Sequence, residues 1–384
     1  MLNVALSPRE KEILALLRAQ PMLDAAGLAR SLGTSKGAVA VALSSLTQKG
    51  EVIGRGYMLR GEPWAVVVGG AAWDIKARSL AGARLHTSNP GTVSRTPGGV
   101  GRNIAEVIAR LGGRVHLVAA VGADAAGRDL LARTSEAGVY VDQVATSPHA
   151  TGSYLAALDA NGELVIGISD FAATDSLDVA DVARSSELIA RAQVVVVDGN
   201  IPAAVAGWAL AVAAAAGVRV VLEPVSVTKA ARMAPLLVPS APVYAITPNV
   251  DELAALVGHD VPDTTDGIAA AAAELHARGV AQVWVSRGAA GSVLSDPDGL
   301  VAIDAIAAEV RDVTGAGDAM TAGFVYGLLR GENGATAARR GHLAAALTVA
   351  STHTVPPDLG IAFSTALRTP DDLATEPTHA GATP

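Results

Sequence analysis

The sequence predicts an α/β protein: a mostly parallel sheet flanked by helices, a small β-lid standing off it, and a helical module in front. Three observations lead there. From Trp64 onward, short continuous apolar runs alternate with Ala-rich runs of helical period, the pattern of parallel strands covered on both faces. Ser153–Leu158 and Glu163–Ile168, joined at Asn161-Gly162, break that alternation and read as a hairpin. The first sixty residues follow another rhythm, three short amphipathic helices before a Gly-rich alternating segment.

In that front module, Ser7-Pro8-Arg9-Glu10 reads as an N-cap with Pro just inside, and Ile13, Leu14, Leu16 and Leu17 form one apolar face. Asp24–Leu32 predicts a second helix with Leu28 and Leu32 inward. Gly33-Thr34-Ser35 makes a turn, and Lys36–Gln48 a third helix burying Val39, Leu43 and Leu46. Glu51–Leu59 predicts a short β-wing around Gly54 and Gly56. Helix, helix, turn, helix and hairpin resemble a winged helix-turn-helix. That reading puts Ser35, Lys36, Ala38 and Ser45 near DNA and Lys49 and Arg55 on phosphates. A small docking or dimerisation module has the same pattern, and one Lys at the front of the third helix makes base readout thin. Of 29 Lys/Arg and 37 Asp/Glu, eight and four fall in residues 1–61, leaving 21 against 33, so a basic end precedes an acidic body. The domain reading is residues 1–61, a body over 62–368 beginning at the hinge Gly61-Glu62-Pro63, and a tail over 369–384. That tail carries Pro, Thr, Asp and Gly without periodicity and reads as disordered.

Along the body, strands are predicted at Ala65–Gly69, Val115–Val121, Val194–Asp198, Val218–Leu222, Val243–Ile246 and Gln282–Ser286. Helices are predicted at Arg102–Leu111, Ala126–Ala137, Val179–Arg191, Ala203–Ala216, Asp251–Val257, Gly267–Arg278, Ala316–Leu329 and Ala335–Ala350. The chain has no Cys, which removes disulfides, thiolate metal sites and cysteine nucleophiles. Its eight His are scattered without HExxH spacing, so a metal here is a hard cation on oxygen ligands. Half the residues are hydrophobic, yet no run has the length and purity of a membrane span, and the amino end reads as an amphipathic helix rather than a secretory leader. The expectation is a cytoplasmic protein without a membrane partner.

Chemistry concentrates in Asp312-Val313-Thr314-Gly315-Ala316-Gly317-Asp318, which runs into the apolar helix Ala319–Leu329. Unpaired N–H groups at a helix start and the helix dipole both favour an anion, and Asp318 sits where it can take a proton from an attacking hydroxyl. A Gly-rich strand-to-helix turn has the same composition, so the neighbouring segments carry the decision. Thr247-Pro248-Asn249-Val250-Asp251-Glu252 follows a strand and opens a helix, offering an amide and a carboxylate at the sheet's carboxyl edge. Glu252 suits a Mg²⁺-bound water, and an Asn-capped helix with a first-turn Glu accounts for the same residues. Ser286-Arg287-Gly288-Ala289-Ala290-Gly291 also follows a strand, with glycines that let backbone approach a nucleotide. Trp73-Asp74-Ile75 and Gly98-Gly99-Val100-Gly101-Arg102-Asn103 place Asp and Asn where they suit vicinal hydroxyls, or a turn and a helix cap. No GxxxxGK[ST] loop and no complete GxGxxG after a strand occurs, which disfavours P-loop NTPases and Rossmann dehydrogenases.

In order, these segments resemble the PfkB (ribokinase-like) family of sugar and nucleoside kinases over residues 64–360. The resemblance implies ATP and Mg²⁺ as cofactors, Asp318 as catalytic base, and Gly315, Ala316 and Gly317 N–H groups as anion hole. Asn249 and Glu252 would organise Mg²⁺ and phosphates with help from Glu223. Ser286, Gly288, Gly291 and Thr314 would line the ATP site. Asp74, Gly98, Gly99, Asn103 and Asn200 would hold the sugar, and some relatives bind K⁺ near the position of Asp312. Within the family, Thr87-Ser88-Asn89-Pro90-Gly91, Gly152-Ser153-Tyr154-Leu155-Ala156, Ile168-Ser169-Asp170, Gly199-Asn200-Ile201-Pro202 and Glu223-Pro224-Val225-Ser226 are similar to pseudouridine kinases. Asn89, Tyr154 and the lid would then face the base, and a homodimer would form through the lid. Phe171, where Met is expected, and Trp73, where a smaller polar residue is common, depart from the pattern. A kinase for another nucleoside or sugar, and a ligand-sensing DNA-binding regulator, are the alternatives.

Overall fold

Each helix at the amino end starts on a side chain that caps it. Ser7 Oγ accepts from Glu10 N at 3.3 Å and Glu10 Oε2 from Ser7 N at 2.6 Å, a capping box that opens helix Pro8–Ala19. Asp24 caps Ala25–Ser31 and Ser35 caps Lys36–Gln48. Ile13, Leu17, Leu28, Val39 and Leu46 are fully buried between the three helices. At about 1.5–3 kcal/mol per side chain, that burial outweighs caps worth about 1 kcal/mol each. The computed structural model describes residues 6–20, 23–53, 62–296 and 299–368. The chain divides into two units, Met1–Pro63 and Trp64–Pro384.

Two expectations for the first unit change. Lys49 Nζ lies 2.8 Å from both carboxylate oxygens of the buried Glu10, and Ser45 Oγ donates to Glu10 Oε1 at 2.7 Å. Both residues face inward, because a buried carboxylate demands a counter-charge, and neither is turned to a DNA phosphate. Ser35 and Lys36 remain exposed at the start of the third helix. Most of the wing, with Arg55, and the tail over 369–384 lie outside the described residues.

The second unit is built on fourteen described strands: β1 (Trp64–Val68), β2 (Ala72–Ser79), β3 (Gly91–Gly98), β4 (Arg114–Val118), β5 (Ala120–Gly122), β6 (Ala145–Ser147), β7 (Gly152–Leu158), β8 (Leu164–Asp170), β9 (Val194–Asp198), β10 (Arg219–Glu223), β11 (Val243–Ile246), β12 (Val280–Ser286), β13 (Ser292–Asp296) and β14 (Gly299–Ile303). An eight-stranded sheet runs β14-β13-β12-β11-β10-β9-β1-β4, parallel from β4 to β12 and antiparallel at β13 and β14. Alternate side chains of its central valine strands feed two apolar layers. Helices Val100–Arg110, Ala316–Leu329, Gly334–Val349 and Leu359–Ala366 cover one face; Ala203–Ala216, Val250–Val257 and Thr265–Ala277 cover the other.

The lid is larger than the predicted hairpin. β7 and β8 pair, and Asp159 Oδ1 ties their turn by accepting from Asn161 N and Glu163 N at 2.8 and 2.9 Å. β2 and β3 then add to β7, giving a four-stranded sheet in the order β3-β2-β7-β8. Trp73-Asp74-Ile75 therefore lies within a lid strand, and Gly98 ends another. The predicted helix Val179–Arg191 is three short pieces, Val179–Val182, Ala183–Ser185 and Ser186–Ala190. Ser185 Oγ turns inward to Gln143 and Ser186 Oγ bonds Ala183 O, the local competition by which serines interrupt helices. Val115–Val121 also divides: β4 stays in the main sheet, while β5 pairs with β6. Among the described residues no helix is long and apolar enough to cross a membrane.

Candidate active site

The parallel strands end at one edge, and the residues just past them meet the start of helix Ala316–Leu329. Asp198, Glu223, Thr247 and Ser286 come from the carboxyl ends of β9 to β12 or the residue after, the place where open α/β sheets bind ligands. A pocket there is lined by Glu223, Val225, Asn249, Glu252, Ser286, Gly317 and Asp318, with Trp284, Met320 and Thr321 as part of its wall.

The helix start is shaped by Gly315, whose φ of +83° is open to glycine and whose added Cβ would lie 2.4 Å from Thr354 O. Ala316 N turns back to Val313 O at 3.2 Å, while Gly315 and Gly317 N–H have no hydrogen-bond partner among the described residues. Of the three N–H groups expected to form an anion hole, Gly315 and Gly317 are thus open and Ala316 is engaged. A Cβ built on Gly317 would meet nothing within 4 Å, so open space lies in front of that turn.

Asp318 accepts a 2.7 Å hydrogen bond from Asn103 Nδ2. Loss of water pushes its carboxyl up to about 7. Asp198 and Asp74 add to the rise, while the Asn103 bond and Arg102 oppose it. Asp74 lies on the lid face that also bears its cross-strand neighbour Tyr154, and burial raises its carboxyl against Arg102 and Lys76. Gly98 makes room for it: a Cβ there would lie 2.4 Å from Asp74 Oδ2. Fully buried Asp198 accepts from Gly70 N and Gly101 N at 2.8 Å, and from Asn200 N and Nδ2 at 2.8 and 2.7 Å, so it fixes the turns that carry Gly99 and Asn200. Lys229 Nζ closes on Asn200 Oδ1 and faces the Phe171 ring.

On the side expected to take the nucleotide, Asn249 and Glu252 form a capping box, Asn249 N to Glu252 Oε2 at 3.0 Å and Glu252 N to Asn249 Oδ1 at 2.9 Å. The structural role holds both side chains at the pocket wall and leaves Glu252 Oε1 without a hydrogen bond to the described residues, which fits a water of Mg²⁺. Glu223 Oε2 accepts from Thr247 and Thr321 hydroxyls at 2.7 and 2.6 Å. Burial pushes its carboxyl up to about 8 against those bonds, with Glu252 and Asp318 adding to the rise. Val225, at φ +71°, is a β-branched residue in the left-handed region on the pocket wall, where backbone strain tends to mark function. Ser286 N bonds Pro248 O at 2.9 Å, tying the Ser286–Gly291 loop with its Gly288 and Gly291 to the Asn249 turn.

Two expected contacts take another form. Both oxygens of Asp312 accept a hydrogen bond, Oδ2 from Lys76 Nζ and Oδ1 from Thr314 N, each at 2.9 Å, so a K⁺ at this carboxylate would share it with the lid lysine. The cation beside it is the lid lysine. Asn89 is exposed in the β2–β3 loop, its side chain bonded to Arg84 N, Arg84 O and Thr87 O, and it is not on the pocket wall. Sequence reading passed over Asp198, Lys229 and Arg102. The first had a signal, a carboxylate at the carboxyl end of a buried strand; Lys229 had none.

The pfkB family carbohydrate kinase model matches residues 65–359. Pseudouridine kinase of Escherichia coli is 35% identical over 306 residues, 79% of this chain and 96% of that protein. An uncharacterised sugar kinase of the same organism is 34% identical over 345 residues, 89% of this chain and 94% of that protein. That span is longer than Trp64–Pro384, so the likeness continues into the first unit. Among solved structures, a carbohydrate kinase from Agrobacterium tumefaciens superposes with TM-score 0.68 at 28% identity, covering 79% of this chain and 97% of that one. Ribokinase of Arabidopsis thaliana, solved with ribose and ATP, gives TM-score 0.69 at 26% identity, covering 80% and 99%. With its sheet, its lid and a carboxylate beside an open turn of unpartnered N–H groups, the chain belongs to the pfkB family of carbohydrate kinases and is a sugar or nucleoside kinase.

Proposed function

We propose that the protein is an ATP:pseudouridine 5′-phosphotransferase. The observation that carries the reading is Asp318, hydrogen-bonded to Asn103 and one residue from the unpartnered Gly317 N–H. The ribose 5′-hydroxyl oxygen attacks the γ-phosphorus in line as the bond to the ADP oxygen breaks, and its proton passes to Asp318. Gly315 and Gly317 N–H groups receive the charge on the transferring group. Glu252, with Asn249 at its side, would hold Mg²⁺ through water, and the ion would supply neutralisation of phosphate charge. Asp74, Asn103 and Asn200 hold ribose hydroxyls, and Tyr154 reads the base. The likeness to the E. coli pseudouridine kinase supports the choice of acceptor.

The test is ADP release with Mg-ATP against pseudouridine, uridine, cytidine, adenosine, ribose and fructose 6-phosphate. A clear preference for pseudouridine supports the reading. Preference for another acceptor keeps the kinase and discards this substrate, and silence on all six in folded protein favours a ligand sensor.

Two assembly readings accompany it. The lid face opposite Asp74 aligns Ile75, Leu155 and Ile168 in one row and Ala77, Ala157, Ile166 and Val93 in the next, with Val93, Ile166 and Ile168 more than half exposed. Such a face suits a homodimer through the lid. Ile166→Glu with Ile168→Glu should give a monomer by light scattering, and an unchanged mass would remove the lid as interface. The first unit is read as a DNA-binding winged helix that uses Ser35 and Lys36. A gel shift on its own upstream DNA, weakened by Lys36→Glu, is the expected result, and no shift at low salt sinks that half.

A further inference from the structure

We propose that Arg102 is a positioning residue for the base: it fixes the carboxamide of Asn103 with its NH₂ toward Asp318. The inference rests on the reading of Asp318 as base and adds what orients the group beside it. Arg102 is almost completely buried in the first turn of helix Val100–Arg110. Its Nη2 donates to Asn103 Oδ1, and Asn103 Nδ2 donates in turn to Asp318 Oδ2 at 2.7 Å. A guanidinium is donor-only and a carboxylate acceptor-only, so only one orientation of the amide satisfies both neighbours. Flipped, the amide would set N–H against N–H and oxygen against oxygen in a buried site, which costs more than the bonds themselves provide.

The rest of the guanidinium explains why the residue is arginine. Nε donates to Gly98 O at 2.9 Å and Nη2 also reaches Pro97 O at 3.3 Å, both at the end of lid strand β3. Nη1 donates to buried Glu106, whose other oxygen accepts from Arg110 Nε at 2.8 Å. One planar fork thus joins the root of the lid, the substrate-side amide and a compensating carboxylate, a set that an ammonium cannot span. The spacing Arg102, Glu106, Arg110 is an i, i+4 ladder along one helix face, so the compensation was legible in the sequence.

The test combines Arg102→Met, Arg102→Lys and the double variant Arg102→Met/Glu106→Gln, the last keeping a folded protein because no buried carboxylate is left facing an apolar side chain. Two readouts are taken: kcat and KM for the acceptor and Mg-ATP, and the Asp318 titration by ¹³C NMR on Asp-labelled protein, assigned with Asp318→Asn. Arg102→Met and the double variant should lose about ten- to a hundred-fold in kcat with Mg-ATP KM within about two-fold. The Asp318 titration should move up. Arg102→Lys should restore the titration, through its charge, but not kcat. A titration that stays in place in Arg102→Met, or a kcat within about two-fold of the parent, overturns the proposal. Should the parent transfer no phosphoryl group at all, the functional reading fails and the titration alone decides the role of Arg102.

Discussion

Asp318 must be charged to accept a proton, yet it sits beside Asp74 and Asp198 in a site that strips its water. The result is a carboxyl pushed up to about 7, where a base is half deprotonated near neutral pH and its proton affinity suits an alcohol better than an ordinary carboxylate would. As the proposed base, Asp318 works only when deprotonated, which sets the sign for activity. We expect kcat/KM, which reports the free enzyme, to fall tenfold per pH unit below about 7 and level off above it. A flat profile from pH 5.5 to 8.5 would remove Asp318 as the titrating group. Glu223 gives a stability counterpart. Its folded carboxyl lies near 8, above its ordinary value of 4.5, so the native state holds the proton longer and stability declines as pH rises between those values. Glu223→Gln keeps an oxygen for the Thr247 and Thr321 hydroxyls, and it should raise Tm at pH 8 more than at pH 5. An equal effect at both pH values would contradict the account.

At the scale of elements, the lid is joined to the signature loop by Lys76 and Asp312, 236 positions apart in sequence. Both side chains are part-exposed, so their pair contributes little to stability, about 0–1 kcal/mol. We expect its effect in closure of the lid. Lys76→Met should leave Tm nearly unchanged while raising acceptor KM and the share of ATP hydrolysed without transfer. If phosphorylated acceptor still equals ADP formed, the bridge does not govern closure. The lid also shows where sequence reading ends. Its hairpin was legible because Asn161-Gly162 punctuates two alternating runs, and helices Ala203–Ala216 and Ala316–Leu329 were legible to the residue from period and flanking Gly. β2 and β3 were not, since Ala72–Ser79 and Gly91–Gly98 mix charge, Gly and Pro without alternation and become strands only by pairing with each other and with β7. For the same reason Asp74 and Gly98 were expected at the sugar without the strands that carry them being foreseen.

At the scale of the whole molecule, the chain joins an acidic kinase unit to a small basic unit whose core is separate. Beside its apolar core the small unit carries a buried ion pair, Glu10 with Lys49. Glu10 is held down to about 2, chiefly by Lys49 and then by Ser45 and Ser7, so the stability it contributes is present above about 4.5 and is lost as pH falls toward 2. Lys49→Met should lower the melting point of the first unit at pH 7 and shrink its acid sensitivity between those limits; an unchanged acid transition would show that the pair is not its source. Lys49 was assigned to DNA because a Lys after a helix reads as surface, and nothing local announces that Glu10, thirty-nine positions away, needs it. The proposed chemistry of the kinase unit converges on one carboxylate, Asp318. The decisive measurement is therefore kcat for Asp318→Asn on the acceptor with the highest turnover. The account predicts a loss of about 10²- to 10⁴-fold with acceptor KM little changed. Turnover within tenfold of the parent would contradict it.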